Sequence, residues 1–146
     1  MSTSPEHETP SGRANPTVFA TLQARDAPAL IDFYVRALGF ELTARYDGDD
    51  GDDLVAHAQL NWPEGHGALM LGSHSPDKQW SREPGTSSGY VVTAHPELVA
   101  ARIAAAIPEL GGEIVRPLAD TDYGGREILV RDPEGNLWSF GDYPGA

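Results

Sequence analysis

The feature that most constrains this chain is an internal repeat of about 70 residues. The segment Gly67–Gly72 lies 68 positions before Gly135–Phe140, and a glycine and a leucine match between the two. Asp26 and His95, which each precede a predicted helix, are 69 positions apart. A unit of this length is at the small end of what folds alone. We therefore expect the two copies to share one structure.

A helix is predicted after the first strand of each copy. In the first copy, Asp26 is a good N-cap and Gly39 ends the apolar periodicity. In the second, Pro96 suits the first turn, and Pro108 followed by Gly111 predicts the end. Each helix has an apolar stripe to bury: Leu30, Ile31, Tyr34 and Leu38 in the first, and Val99, Ile103 and Ile107 in the second.

Four strands accompany each helix, so each copy is predicted to be a β-α-β-β-β unit. The first copy has its predicted strands at Thr17–Ala24, Phe40–Tyr46, Leu54–Leu60 and Gly67–Gly72. The second copy has them at Ser88–Thr93, Glu113–Leu118, Arg126–Arg131 and Asn136–Gly141. Two such units predict the α+β class.

The predicted units leave two segments without periodicity. Residues 1–15 are rich in Ser, Thr, Pro and Glu and are predicted to be a disordered tail. The units then span 16–72 and 88–143, joined by a 15-residue loop, 73–87. This loop is long for a compact domain and contains Trp80. We expect residues 16–143 to form one domain.

Charge and composition exclude several classes of function. The chain has 10 Lys and Arg against 22 Asp and Glu, a net charge of −12. This balance disfavours nucleic-acid and anionic membrane partners. Cysteine is absent, which rules out disulfides, thiolate metal sites and cysteine nucleophiles. Because the sequence also lacks a secretory pattern and an apolar run of membrane-spanning length, we expect a cytoplasmic protein.

Several short motifs, taken in order, resemble a known superfamily. They are Arg25-Asp26, Phe33-Tyr34 and Leu38-Gly39-Phe40 in the first unit, and Thr121–Glu127 and Arg131–Phe140 in the second. Together they resemble the vicinal oxygen chelate superfamily, which includes glyoxalase I, extradiol dioxygenases, fosfomycin-modifying enzymes and bleomycin-resistance proteins. The likeness covers about residues 16 to 143. It implies a curved mixed sheet around a cavity, with the helices outside, and paired protomers.

The resemblance also implies where a metal would bind. Metal-dependent members take one His, Gln or Glu ligand from the first and last strands of each unit. The corresponding positions here, reached from the family motif and from the internal repeat, are Phe19, Leu71, Ser88 and Ser139. None suits a divalent metal of the Zn, Ni, Fe or Mn kind. We therefore expect no metal or other cofactor, and a pocket for an organic ligand like that of the bleomycin-resistance proteins.

Alternation along the strands assigns further side chains to two faces. The predicted cavity face has Thr21 and Gln23 beside Phe19, Tyr90 and Val92 beside Ser88, Leu69 beside Leu71, and Leu137 beside Ser139. The predicted helix face has Ala20, Leu22, Ala24, Met70, Trp138 and Phe140. On this basis Trp138 is structural.

Four further features have two interpretations each. His57 is either a hydrogen-bonding group or general base in the cavity wall, or an ordinary exposed histidine. Trp80 is either a lid over a flat ligand or a side chain that pins its loop to the body or to a dimer partner. Tyr123 and Arg126 either line the mouth of a pocket or belong to a turn and the exposed end of a strand. The aspartate-rich segment 47–53 is a solvated turn rather than a calcium site, because it lacks the EF-hand pattern.

The favoured function is metal-free binding of a small, partly aromatic organic molecule, with drug sequestration as its outcome. The first alternative is a lyase, isomerase or dioxygenase of the same superfamily with a relocated metal site, for which His57 is the candidate donor. The second is a structural or regulatory dimer whose cavity has collapsed. A homodimer is expected because units of this size leave exposed sheet edges that pairing protects.

Overall fold

Two four-stranded sheets, one from each repeat, form the framework of the protein. The structure is a computed structural model and describes residues 15–48 and 54–146. The predicted tail, apart from Asn15, and residues 49–53 of the aspartate-rich turn lie outside the described residues. The first unit contains β1 (Phe19–Ala24), α1 (Ala27–Phe33), β2 (Glu41–Asp47), β3 (Val55–Asn61) and β4 (Ala68–Ser73). The second contains β5 (Ser88–Val92), α2 (Pro96–Leu110), β6 (Glu113–Asp120), β7 (Arg126–Arg131) and β8 (Leu137–Gly141).

Both sheets have the same mixed topology. The strand orders are β1-β4-β3-β2 and β5-β8-β7-β6. In each sheet the first and last strands of the unit pair in parallel, β1 with β4 and β5 with β8. The other pairs are antiparallel. The predicted α+β class and the two βαβββ units are confirmed. Within the described ranges, no helix is long and apolar enough to span a membrane.

The two helical segments begin and end at the residues that the sequence predicts. The side chain of Asp26 accepts a hydrogen bond from the N–H of Ala29 at 3.2 Å, so it caps α1. This helix continues into a π-helical turn over Tyr34–Leu38, which stops at Gly39 with a φ of 92°. The second helix, α2, ends at Leu110 with Gly111 as its C-cap, as the sequence predicts, and Pro108 lies within its last turn. Proline this close to a helix end removes only one intrahelical hydrogen bond.

The two repeats bury one shared core. Its centre is aromatic: the ring of Tyr34 lies 5.5 Å from that of Trp138, and the ring of Trp62 lies 5.6 Å from that of Phe140. The Tyr34 hydroxyl donates to Oδ2 of the buried Asp132 at 2.6 Å. Trp138 is 4% exposed, which confirms its predicted structural role. Residues from both copies thus meet in one hydrophobic core.

Two glutamates tie the repeats together from opposite directions. Glu134, in the turn before β8, accepts from the backbone N–H groups of Arg25 and Asp26 at 2.7 and 2.8 Å. Glu64, in the turn before β4, accepts from the hydroxyl of Thr93 at 2.7 Å and the N–H of Ala94 at 2.8 Å. Each glutamate therefore holds the strand-to-helix junction of the other repeat.

The sheets have an inner face toward the helices and an open face away from them. On the first sheet the open face has Phe19, Thr21 and Gln23 of β1, His57, Gln59 and Asn61 of β3, and Met70 of β4. On the second sheet it has Ser88, Tyr90 and Val92 of β5, Leu137 and Ser139 of β8, and Glu127 of β7. These two surfaces are called the first and second open faces below.

The predicted faces of the β4 side chains are wrong by one residue. Leu71 pairs with the buried Leu22 and is itself 3% exposed, so its side chain lies in the core. Leu69 is buried in the same way. Met70 pairs with Thr21 on the first open face, although the sequence predicts it on the helix side. The face assignments for β1, β5 and β8 are confirmed.

Candidate functional site

A cleft of about 560 Å³ opens where the first open face meets the loop between the repeats. The residues that line it include Thr21, Gln23, His57, Met70, His74, Lys78, Trp80 and Arg82. The volume is in the range of pockets that hold small organic molecules. The parallel strands β1 and β4 end together at this place, so the loop leaving β4 passes directly across the ends of both.

Gln23 fixes the course of this loop. Its Oε1 lies 2.7 Å from Nδ1 of His74 and also accepts from Oγ of Ser81 and the N–H of Arg82, each at 3.4 Å. The backbone N–H of His74 donates to the carbonyl of Ala24 at 2.9 Å, which continues the pairing of β4 with β1. One amide on the first open face therefore holds the loop at both sides of Trp80.

Trp80 is held at the cleft with its ring in solvent. The side chain is 68% exposed, although an indole is costly to leave in water. Nζ of Lys78 lies 5.7 Å from the ring centroid, within the range of a cation–π contact. An exposed indole at the edge of a cleft is suited to stack on a planar ligand.

His57 lies on the open face by alternation with Gln59, and an irregularity in β3 separates it from Val55. Val55 pairs with Asp47 and His57 with Tyr46, so the β2–β3 register shifts between these two pairs. Val55 is consequently buried, while His57 lies on the open face with its ring stacked on Tyr46 at 6.2 Å. This arrangement leaves the imidazole beside the cleft as a hydrogen-bonding group.

The formally charged residues that line the cleft in the described part of the chain are positive, whereas the chain as a whole is acidic. Lys78 and Arg82 line it together with two histidines, whereas no Asp or Glu from residues 15–48 or 54–146 does so. The whole chain has a net charge of −12. Sequence reasoning missed Lys78, Arg82, His74 and Met70 as site residues. The available signal was that Lys78 is the only lysine and lies two positions from Trp80.

The second open face forms a separate group of polar and aromatic side chains. The Tyr123 hydroxyl donates to Oε1 of Glu127, and Arg116 donates to Oε2 of the same carboxylate at 3.1 Å. The hydrogen bond that Tyr123 donates to Glu127 raises the pKa of Tyr123, and burial raises the pKa of Tyr90. The Tyr90 hydroxyl donates to the carbonyl of Tyr143 at 2.8 Å. None of these side chains lines the 560 Å³ cleft.

The ten predicted ligand-binding residues are therefore divided among different places. The cleft brings together Thr21, His57 and Trp80. Leu71 borders it, but its side chain lies in the core. Phe19 lies on the first open face outside the cleft lining, and Ser88, Tyr90, Ser139 and Tyr123 lie with the second sheet. Their binding roles stay predictions.

Arg126 does not join either group of candidate residues. It lies on the same side of β7 as the buried Ile128, two positions later, which is the inner side. Its Nε is 4.0 Å from Asp120, and its backbone N–H donates to Asp142 at 2.8 Å. These contacts agree with the alternative interpretation of Arg126 as part of a strand end.

The residues at the inherited metal positions do not fit a divalent metal. Because Met70 rather than Leu71 lies on the open face, the four positions hold Phe19, Met70, Ser88 and Ser139. A phenyl ring offers no donor, a thioether selects soft ions, and neutral hydroxyls are weak ligands. In the part of the chain that the structure describes, no group of three or more His, Asp or Glu side chains is placed to hold a metal ion.

Comparison with known proteins identifies relatives with the same architecture. The sequence matches the family described as Glyoxalase/Bleomycin resistance protein/Dioxygenase superfamily over residues 16–140. It is 31% identical over 130 residues to the uncharacterized protein Rv0887c of Mycobacterium tuberculosis, covering 86% of this chain and 74% of that one. A protein of Mycobacterium bovis, Mb0911c, is also 31% identical, with 82% of its length covered.

Solved structures show the same fold. TioX from Micromonospora sp. ML1 superposes with a TM-score of 0.66 at 29% identity, covering 88% of this chain and 97% of TioX. TnmS3, an antibiotic binding protein from Streptomyces sp. CB03234, gives 0.65 at 23% identity, covering 88% and 94%. A glyoxalase I mutant from Zea mays gives 0.66 at 22% identity, covering 83% of this chain and 44% of the maize protein. The repeat, the topology and the family match agree, and the chain belongs to the glyoxalase/bleomycin resistance protein/dioxygenase superfamily.

Proposed function

We propose that this protein binds a small, partly aromatic organic molecule in the cleft of the first repeat without using a metal, and that it acts by sequestration. The observation that carries the proposal is the placement of Trp80, which is 68% exposed at the edge of a cleft of about 560 Å³. Gln23 holds the loop on both sides of this ring. A stacking side chain held in place before the ligand arrives loses little conformational entropy on binding.

The chemistry of the lining supports binding rather than metal-assisted catalysis. Met70 and Trp80 supply apolar surface, and Thr21, His57 and His74 supply a few hydrogen-bonding groups. Small-molecule pockets have this composition. The proposal is supported by TnmS3, an antibiotic binding protein with the same fold.

The proposal includes a homodimer in which the second open face of one copy covers the first open face of the other. Tyr90 is 42% exposed, Val92 is 41% exposed and Tyr123 is 53% exposed. Large apolar side chains exposed together on one surface are typical of an interface. The 560 Å³ cleft contains no residue of β5 or β8. A second copy placed in this way would close the cleft and bury both surfaces.

The enzymatic alternative rests on one specific observation, which is that His57 and His74 line the same cleft. Two imidazoles are part of many metal sites, but catalytic sites of this kind usually add a third protein ligand. His74 is also engaged with Gln23 at 2.7 Å. We therefore place the relocated metal site second.

One experiment separates the two functions. The purified chain is analysed for metal, treated with EDTA, and tested by thermal shift against planar aromatic compounds with and without added Zn²⁺ or Mn²⁺. We expect aromatic compounds to raise the melting temperature of the metal-free protein, and the Trp80→Ala variant to lose this shift. Stabilisation that appears only with a stoichiometric metal would favour the enzyme, and stabilisation by neither would favour a collapsed cavity.

A further inference from the structure

We infer that the ligand of the cleft is a planar aromatic acid, with its ring on Trp80 and its carboxylate between Lys78 and Arg82. This inference rests on the ligand-binding function proposed above and names its chemical class. It opposes the simplest expectation from the net charge of −12, which is that an acidic protein attracts cations.

The formal charges at the cleft lining have one sign among the described residues. Lys78 and Arg82 are the formally charged side chains among the described residues of the lining, and both are positive. Neither forms an ion pair with any described carboxylate, although most other arginines of the chain do. Two cations at one cleft, with no acid paired to them in residues 15–48 and 54–146, favour an anionic ligand.

Lys78 lies against the indole of Trp80. Its Nζ lies 5.7 Å from the centroid of the Trp80 ring, so the ammonium covers one face. The residue is still 68% exposed, so most of its surface stays accessible to a planar molecule. A ring stacked there brings an acidic substituent at its rim within reach of the flexible lysine side chain.

Arg82 lies two positions after Trp80 on the same loop. Its backbone N–H donates to Gln23 at 3.4 Å, so it lies on the loop segment that Gln23 fixes. Lys78 and Arg82 therefore flank Trp80 on a segment whose course is held by the sheet. A guanidinium is suited to a carboxylate because its N–H groups match the two oxygens in a planar, bidentate geometry.

The test uses three probes that share one ring system and differ in charge: 2-naphthoate, 2-naphthamide and 2-naphthylmethylammonium. Binding to the EDTA-treated full chain is measured by calorimetry at low salt, about 50 mM, where exposed charges are less screened. We expect the carboxylate to bind about threefold to tenfold more tightly than the amide, and the ammonium to bind most weakly. In the Lys78→Gln/Arg82→Gln variant the carboxylate and the amide should bind equally.

The matched control is the Arg36→Gln/Arg131→Gln variant, which makes the same change in net charge outside the cleft. It should keep the preference for the carboxylate. Equal affinities for all three probes would overturn the anionic class and leave the ligand-binding function standing. The tightest binding by the ammonium would also overturn it. Binding of none of the three up to about 1 mM would reject both the inference and the proposed function.

Discussion

Glu134 accepts a hydrogen bond from the backbone N–H of Asp26, 108 positions earlier in the chain, at 2.8 Å. Its other carboxylate oxygen accepts from the N–H of Arg25 at 2.7 Å. Glu64 makes the equivalent contact with Thr93 and Ala94. The two repeats are thus joined by a reciprocal pair of glutamates, each of which accepts hydrogen bonds from the other repeat.

We predict that Glu134→Ala lowers the free energy of unfolding by about 1–3 kcal/mol, because two backbone donors lose their acceptor. The Glu134 side chain is 8% exposed, so water replaces it poorly. Glu64 is more exposed, and Glu64→Ala should cost less. Urea denaturation measures both. The control is Glu113→Ala, whose exposed carboxylate pairs only with Arg131 in the structure and should cost less than about 0.5 kcal/mol.

A second prediction concerns the buried hydroxyl of Tyr34. Burial, together with the charge and hydrogen bond of Asp132, raises the pKa of Tyr34 well above its usual range. A raised pKa stabilises the fold fully below the unfolded pKa of about 10, and this contribution is lost as the pH rises above it. The wild type should lose stability between about pH 9 and 11 more steeply than Tyr34→Phe. Parallel slopes in urea midpoints for the two proteins would contradict this account.

The positions of the strands could be predicted from the sequence, but the faces of β4 could not. The matching glycines Gly67 and Gly135 give a repeat of 68 residues. In the sheets, however, Phe19 pairs with Ala68 and Ser88 with Leu137, so both partners are displaced by 69 positions. Because side chains alternate along a strand, this error of one residue reverses every face. As a result the sequence assigns Leu71 to the open face, a position that Met70 occupies in the structure.

A better signal for the repeat was present in the turns. Pro63-Glu64-Gly65 and Pro133-Glu134-Gly135 recur 70 positions apart, and they contain the two glutamates that join the repeats. The contacts themselves could not be predicted, because they link residues far apart in sequence. The positive residues of the cleft could not be predicted either. Lys78 and Arg82 line the cleft because their loop is held by Gln23, which is more than 50 positions earlier in the chain.

A third prediction tests the role of Gln23 in holding the loop. Gln23→Ala removes the acceptor for His74, Ser81 and Arg82, so the loop should open more often. Trypsin should then cleave faster after Lys78 and Arg82, as followed by mass spectrometry. Gln59→Ala is the matched control, because its amide bonds only Asn61 on the same strand in the structure. Equal cleavage rates in the two variants would show that Gln23 does not fix the loop.

The fourth prediction contrasts two tryptophans. Trp138 is 4% exposed, and its Nε1 donates to the Tyr34 hydroxyl at 3.2 Å. Trp138→Ala should lower the free energy of unfolding by about 3–5 kcal/mol. Trp80 is 68% exposed, so Trp80→Ala should change stability by less than about 0.5 kcal/mol while removing aromatic-ligand binding. A large loss of stability in Trp80→Ala would instead indicate that the ring pins its loop to the body.

The most direct test of the central claim is a fluorescence titration of the EDTA-treated protein with planar aromatic compounds. Trp62 and Trp138 are buried, so the signal of Trp80 is isolated by comparison with Trp80→Phe. The account predicts saturable quenching of Trp80 in the metal-free protein, unchanged by added Zn²⁺ or Mn²⁺. Two results would contradict metal-free binding in this cleft: quenching that requires one of these metals, or no quenching at any concentration of the aromatic compounds.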